Sequence, residues 1–147
     1  MFKRIVVGTD GSARARQAVA VAAELARAHK AELHLVQAYR PAAQLVASMA
    51  APETAAVGFV TDAEVAEQVT EHLERLRAEL SRDLEVQIYA CPQAPSQAIL
   101  AIADHQQADL VVVGSKGMHG ARRVLGSVPN SVAHQAGCAV LIVPTDG

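Results

Sequence analysis

Five short apolar runs, each separated from the next by a stretch with helical periodicity, restrict the possible folds of this chain most. The runs are RIVVGT (4–9), ELHLVQA (32–38), LEVQIYA (84–90), DLVVVG (109–114) and CAVLIVP (138–144). Within them, IVV, LVVV and VLIV are continuous rather than alternating, which is typical of strands covered on both faces. The order β-α-β-α-β-α-β-α-β therefore predicts a single α/β domain over residues 1–147, with a five-stranded, parallel, doubly wound sheet and helices on both faces.

The four helical stretches carry start and stop signals. The predicted starts are Ser12, Thr61, Pro95 and Ser127. Thr61 and Glu64 have the spacing of a capping box, and Pro95 suits a first helical turn. Gly137 is the predicted residue just beyond the end of the fourth helix. The segment 41–60 fits neither pattern, so we expect it to be a mobile excursion from the domain.

Composition excludes several classes of protein. The net charge is −2, so nothing global favours nucleic acid or an anionic membrane as a partner. The sequence contains no apolar run of 18 residues and no signal peptide. The two cysteines, Cys91 and Cys138, lie far apart and form no C-x-x-C pattern, which favours a reducing, cytoplasmic setting.

The stretch GSKGMHGARRVLGSVPNSV (114–132) directly follows the fourth apolar run. Its glycines allow close approach of the backbone to a ligand, and Ser127 begins a helix whose free amides favour an anion. In a doubly wound sheet, ligands bind outside the carboxyl ends of the strands where the winding reverses. If strands 1 and 4 are neighbours, this stretch meets the turn GTDGS (8–12) there. Alternatively, the glycines make tight turns only and Ser127 is an ordinary N-cap.

These motifs together resemble the universal stress protein family over essentially the whole chain. The resemblance rests on IVVGTDGS, GSKG (114–117), GSVPNSV (126–132) and AGCAVLIVP. It implies a Rossmann-like fold and, in the members that bind ATP, a motif of G-x-x-G, nine residues and G-[S/T]. Gly114, Gly117 and Gly126-Ser127 match that motif, but the spacer from Met118 to Leu125 has eight residues. The resemblance thus implies binding of an adenine nucleotide with one departure from the pattern.

The resemblance also implies roles for individual residues. Asp10 would hold the ribose, with Thr9 beside it in the pocket, and Ala38 would offer backbone groups to the adenine. Gly114 would lie close to the ribose, and the phosphates would be surrounded by Gly117, Gly126, Ser127 and Val128. Asp10 could instead have only a capping role in the turn D-G-S. The expected ligand is ATP, or ADP or AMP, with Mg²⁺ as a candidate accompanying ion.

Two functional hypotheses follow, together with an expectation about assembly. The first is a nucleotide-binding sensor or regulator of the stress response, and the second is a protein-interaction module of the same fold with an empty pocket. An enzyme with more than slow ATP hydrolysis is disfavoured, because the sequence has no Walker A motif, G-x-S-x-G elbow or zinc-binding histidine spacing. The family implies a homodimer formed through residues 138–143, while the sequence identifies no protein partner. Lys116, Arg122 and Arg123 could offset phosphate charge or be solvated.

Overall fold

The sheet of this protein has the predicted doubly wound topology. A computed structural model describes residues 1–41, 61–115 and 125–145, with the backbone of 118–119 and 122–123. Five strands pair in parallel, in the order β3 (Val86–Cys91), β2 (Glu32–Ala38), β1 (Arg4–Thr9), β4 (Leu110–Gly114) and β7 (Ala139–Val143). The first strand of the chain is therefore central, and β1 and β4 are neighbours, as the placement of the site requires. The segment 41–60, predicted to be a mobile excursion, lies outside the described residues except for Pro41.

The apolar runs form strands close to their predicted bounds. The strands are β1 (Arg4–Thr9), β2 (Glu32–Ala38), β3 (Val86–Cys91), β4 (Leu110–Gly114), β5 (Met118–His119), β6 (Arg122–Arg123) and β7 (Ala139–Val143). The first two agree with the prediction residue for residue. The short strands β5 and β6 were not predicted. They form an antiparallel pair inside the spacer, with Met118 opposite Arg123 and His119 opposite Arg122.

The helices in the described part of the chain are α1 (Ala15–His29), α2 (Asp62–Leu80), α3 (Pro95–His105) and α4 (Ser127–Gln135). The capping box of α2 is confirmed: the Thr61 hydroxyl accepts the Glu64 amide at 3.1 Å, and the Glu64 carboxylate accepts the Thr61 amide at 2.8 Å. Both bonds satisfy amides that a helix start leaves without partners.

The predicted starts at Pro95 and Ser127 are confirmed, whereas the caps of α1 and α4 differ from the prediction in detail. Helix α1 begins at Ala15 with Arg14 in the N-cap position, although Arg14 already has helical torsions and the Ser12 hydroxyl accepts the Ala15 amide at 3.2 Å. Ser12 therefore still caps the first turn, which tightens before the regular helix. At α4 the N-cap is Gly126 rather than Ser127. Helix α4 ends before Gly137, as predicted, and Gly137 follows the extended C-cap Ala136 without adopting a left-handed conformation.

Two apolar layers enclose the sheet. Helices α1 and α2 cover one face, where Ile5, Leu33, Leu35 and Leu73 are fully buried. Helices α3 and α4 cover the other face. The core there is formed by Val6, Val36 and Val111 of the sheet, by Ala98, Ile99 and Ala103 of α3, and by Val132 of α4. Consecutive strand residues thus point into opposite layers, which explains why the apolar runs are continuous. The carboxyl edge of the sheet lies between the layers.

One polar side chain, His34 on β2, is buried beside the second layer. Its Nδ1 lies 2.9 Å from the Tyr89 hydroxyl, and the two rings stack with centroids 5.8 Å apart. Its Nε2 lies 3.4 Å from Glu32 Oε2 without making a hydrogen bond within the described part of the chain. Burial lowers the pKa of His34, and the nearby Glu32 carboxylate only partly offsets that effect. His34 is therefore neutral in the folded protein at pH 7.

Candidate functional site

A cavity of about 460 Å³ opens at the carboxyl ends of β1 and β4, where the winding of the sheet reverses. This volume lies within the range of small-molecule sites, roughly 300–1,000 Å³. Its wall comes from both helical layers and from four strand ends or the residues that follow them. The lining residues are Gly8, Thr9, Asp10, Ser12, Ala13, Arg14, Ala15, Ala38, Pro95, Ile99, Val113, Gly114, Val128, Pro129 and Thr145.

The turn after β1 holds Asp10 at this cavity through side-chain acceptors. Thr9 Oγ1 accepts the Gly11 amide at 3.2 Å, and Asp10 Oδ1 accepts the Ser12 amide at 2.9 Å. Gly11 has φ of +82°, a left-handed conformation that glycine adopts without strain. The bond made by Asp10 closes a turn, whereas Ser12 caps the helix, so Asp10 is not the helix cap.

Two polar side chains, one from β2 and one from α2, pack next to that turn. His72 Nδ1 lies 2.7 Å from Gln37 Oε1, so the ring nitrogen donates to the amide oxygen. A Cβ on Gly11 would lie 3.3 Å from Gln37 Nε2. Burial, followed by the charges of Arg75 and Arg16, lowers the pKa of His72. The turn that presents Asp10 is thus packed against a neutral histidine and its amide partner.

Two close contacts shape the floor of the cavity. A Cβ on Gly8 would lie 2.4 Å from Ile99 Cδ1, and a Cβ on Gly114 would lie 2.8 Å from Thr145 Cγ2. Real carbon–carbon contacts are about 3.5–4.0 Å, so neither position has room for a side chain without movement. A side chain at either strand end would force Ile99 of α3 or Thr145 after β7 to move, because those side chains already occupy the space.

The start of α4 brings backbone amides to the cavity. Val128 and Pro129, in the first turn of the helix, line the wall. Gly126 is an extended N-cap without a side-chain hydrogen bond, and Ser127 is exposed. Pro129 carries no N–H and the Asn130 amide donates to the Gly126 carbonyl, so the amides that this helix start can offer to an anion are those of Ser127 and Val128, together with the positive end of the helix dipole.

Most of the predicted site residues come together at this cavity. Thr9, Asp10, Ala38, Gly114 and Val128 all line it. Gly126 and Ser127 begin α4 next to Val128 but are not part of the lining. Gly117 lies outside the described residues, as does Lys116, while Arg122 and Arg123 are described by their backbone alone.

Sequence reasoning missed several lining residues, among them Gly8, Arg14, Ile99 and Thr145. Gly8 stood in the quoted motif IVVGTDGS, and its position at a strand end was an available signal. Arg14 places an exposed cation at the edge of the cavity. Its position in the sequence just before the first helix could have indicated this. Thr145 directly follows the quoted motif AGCAVLIVP, but nothing in that motif indicated a contact with the cavity, and Ile99 lies in a helix outside the quoted motifs.

The described residues show few groups suited to other chemistry. In 1–41, 61–115 and 125–145, His, Cys, Asp and Glu side chains do not gather in the threes or more that a metal ion would need. Burial raises the pKa of both Cys91 and Cys138, so neither thiol is activated as a nucleophile. None of the helices in these ranges combines the length and apolarity needed to cross a membrane.

The fold and the cavity define a doubly wound α/β domain with a pocket of ligand size at its topological switch point. The model of the universal stress protein family matches residues 1–144. This chain therefore belongs to the universal stress protein family, as its motifs predicted.

Individual relatives agree with this assignment over nearly their whole length. A universal stress protein of Thermus aquaticus is 34% identical over 147 residues, covering 97% of this chain and 99% of the relative. One of Mycobacterium tuberculosis is 34% identical over 145 residues, covering 98% of this chain and 97% of the relative. A universal stress protein whose crystal structure contains cAMP superposes with a TM-score of 0.70 at 32% identity, covering 99% of this chain and 98% of that chain.

Proposed function

We propose that this protein binds an adenine nucleotide in the switch-point cavity and acts in the cytoplasm as a sensor or regulator of the stress response. The observation that carries the proposal is the cavity itself, which has a fixed carboxylate on one strand end and a helix start nearby. A carboxylate accepts hydrogen bonds from sugar hydroxyls, and helix-start amides donate to phosphate oxygens. The relative that is 32% identical and was crystallised with cAMP supports the class of ligand.

The residues of the cavity suggest how the nucleotide lies. Asp10 would accept the ribose hydroxyls, and the backbone of Ala38 would meet the adenine edge. Gly114 would lie beneath the ribose. Gly126, Ser127 and Val128 would surround the phosphates at the start of α4, together with Gly117. ATP is the first candidate because the sequence of the stretch 114–132 contains three cationic residues before a helix start, with Mg²⁺ as the candidate accompanying ion.

The direct test is to identify and measure the nucleotide. The purified protein is denatured and its supernatant analysed by mass spectrometry for co-purified nucleotide. Calorimetric titration then compares ATP, ADP, AMP and cAMP, each with and without Mg²⁺. Failure of all four to bind would contradict the proposal.

Asp10→Asn sharpens the test, because Asn can still accept the Ser12 amide and keep the turn. The substitution removes the charge and one acceptor. Hydrogen bonds to a charged group contribute about 1.5–3 kcal/mol, so the affinity for nucleotide should fall by about 10- to 150-fold. Asp104→Asn, an exposed carboxylate at the far end of α3, is the matched control and should leave the affinity unchanged. Equal affinity of Asp10→Asn and wild type would leave Asp10 as a turn residue only.

A second function, a protein-interaction module with an empty pocket, is favoured by one feature of the motif. The spacer between Gly117 and Gly126 has eight residues, and part of it forms the β5–β6 pair. Inserting one residue after Leu125 restores the spacing of the ATP-binding motif. If millimolar ATP with Mg²⁺ stabilises the insertion variant against heat but not the wild type, the short spacer has disabled the pocket and the interaction module is correct.

A further inference from the structure

Thr145 is a polar residue buried at the cavity that none of the nucleotide roles above uses. It follows β7 and Pro144, its exposed fraction is 4%, and it belongs to the cavity lining. Burying a hydroxyl group costs free energy unless the group makes a hydrogen bond, so the surroundings of the Thr145 side chain indicate which partner its hydroxyl can have.

Hydrogen bonds between residues of the described part of the chain fix the position of Thr145, and those below use its backbone amide rather than its hydroxyl. The Ser115 amide donates to the Val143 carbonyl at 2.9 Å, and the Thr145 amide donates to Ser115 Oγ at 3.1 Å. Ser115 is itself 2% exposed. Ser115, the residue after β4, is thus hydrogen-bonded both to the last residue of β7 and to Thr145 two residues later, and these bonds hold Thr145 in a defined place.

That place is directly above Gly114. Thr145 Cγ2 lies 2.8 Å, and Oγ1 3.5 Å, from the point where a Cβ on Gly114 would stand. The sheet order β1-β4-β7 puts Asp10 on one side of Gly114 and Thr145 on the other. A group bound over Gly114 is therefore flanked by a carboxylate and by a hydroxyl.

These two groups complement each other chemically. A carboxylate only accepts hydrogen bonds, whereas a threonine hydroxyl both donates and accepts. A sugar hydroxyl that donates to Asp10 keeps lone pairs that can accept from Thr145, and a neighbouring hydroxyl can donate to it.

We infer that Thr145 is a specificity-determining residue whose hydroxyl hydrogen-bonds a ribose hydroxyl of the bound nucleotide, across Gly114 from Asp10. The inference rests on the proposed function and adds a recognition element to the same site. It makes the protein selective for ribonucleotides over deoxyribonucleotides, and the selectivity depends on the residue that follows the last strand.

The experiment uses two substitutions and three ligands. Thr145→Val keeps the methyl group over Gly114 and removes the hydroxyl, while Thr145→Ser keeps the hydroxyl and removes the methyl. Calorimetric titration with AMP, 2′-deoxy-AMP and 3′-deoxy-AMP, or with the corresponding triphosphates, gives the dissociation constants. Thermal unfolding of each variant verifies that it is folded.

Thr145→Val should weaken binding of AMP about two- to tenfold, the effect of one neutral hydrogen bond, while Thr145→Ser stays near wild type. For the deoxy analogue that lacks the partner hydroxyl, wild type and Thr145→Val should bind equally. Equal weakening of all three ligands, or no weakening, would overturn the inference and leave Thr145 a packing residue. If wild type binds none of the nucleotides, the proposed function fails first. If wild type binds but the pattern is missing, the assignment of Thr145 alone fails.

Discussion

Gly8→Ala tests whether the contact between β1 and α3 at the cavity floor is as close as the structure indicates. The new Cβ would lie 2.4 Å from Ile99 Cδ1 and 3.0 Å from Ile99 Cγ1. Ile99 is 4% exposed and is packed into the layer formed by α3 and α4, so it must move by about 1 Å to reach an ordinary contact distance. Overpacking of this kind costs about 1–3 kcal/mol, and replacing a strand glycine with alanine returns about 0.5–1 kcal/mol. We expect a net loss of about 1–2 kcal/mol.

Urea denaturation, followed by circular dichroism, measures this loss. Ile99→Val removes the closer of the two clashing atoms and alone should cost about 0.5–1.5 kcal/mol. If the clash is real, the double variant Gly8→Ala/Ile99→Val should be more stable than the sum of the single losses, by about 1 kcal/mol. Gly137→Ala is the matched control, because a Cβ there meets no atom within 4 Å. Strict additivity, or a Gly8→Ala variant as stable as Gly137→Ala, would refute the reasoning.

Two further predictions concern pH and assembly. Burial lowers the pKa of His34 and of His72 from the ordinary value of 6.5, so the unfolded chain binds protons more readily than the folded protein. Their contribution to stability is therefore complete above about pH 6.5 and declines as the pH falls below it. His34→Asn, which keeps an acceptor for Tyr89, should flatten the dependence of the urea midpoint on pH between 7.5 and 5.5. An unchanged slope would exclude His34 as a source. For assembly, β7 is an edge strand, and we expect homodimers formed through residues 138–143. Leu141→Lys, at a half-buried position, should shift the sedimentation coefficient toward monomer, and a wild type that is already monomeric at micromolar concentration would contradict this expectation. Val143 suits the test less, because it belongs to the core of its own chain.

The sequence predicted the main sheet well because burial on both faces leaves an unambiguous pattern. The bounds of β1 and β2 agree with the prediction, and the capping box of Thr61 and Glu64 forms both of its bonds. The β5–β6 pair escaped prediction because two-residue strands bury no alternating apolar face. Helix α4 ends before Gly137 as predicted, although Gly137 does not adopt the left-handed conformation common at that position, because the chain already becomes extended at Ala136.

A site residue was predictable where the neighbouring sequence determines its position. Asp10 and Gly114 follow strands and carry chemistry that a motif makes visible. Thr145 contacts Gly114 only because β7 lies beside β4, and the bond that holds it joins residues 30 positions apart. Such contacts depend on strand order and register, which a single sequence does not reveal. The same holds for the contact between Gly8 and Ile99.

The direction of the parallel strands determines where a tag or linker can be attached to this protein without approaching the cavity. Met1 is 96% exposed and precedes the amino end of β1, so it lies about 20 Å, the length of a six-residue strand, from the carboxyl edge that holds the cavity. Thr145, in contrast, is part of the cavity wall. A purification tag, fluorophore or surface linkage at Met1 stands away from the pocket, whereas the same group attached at Thr145 stands in the cavity wall next to Gly114. Binding measurements on this protein therefore call for amino-terminal fusions.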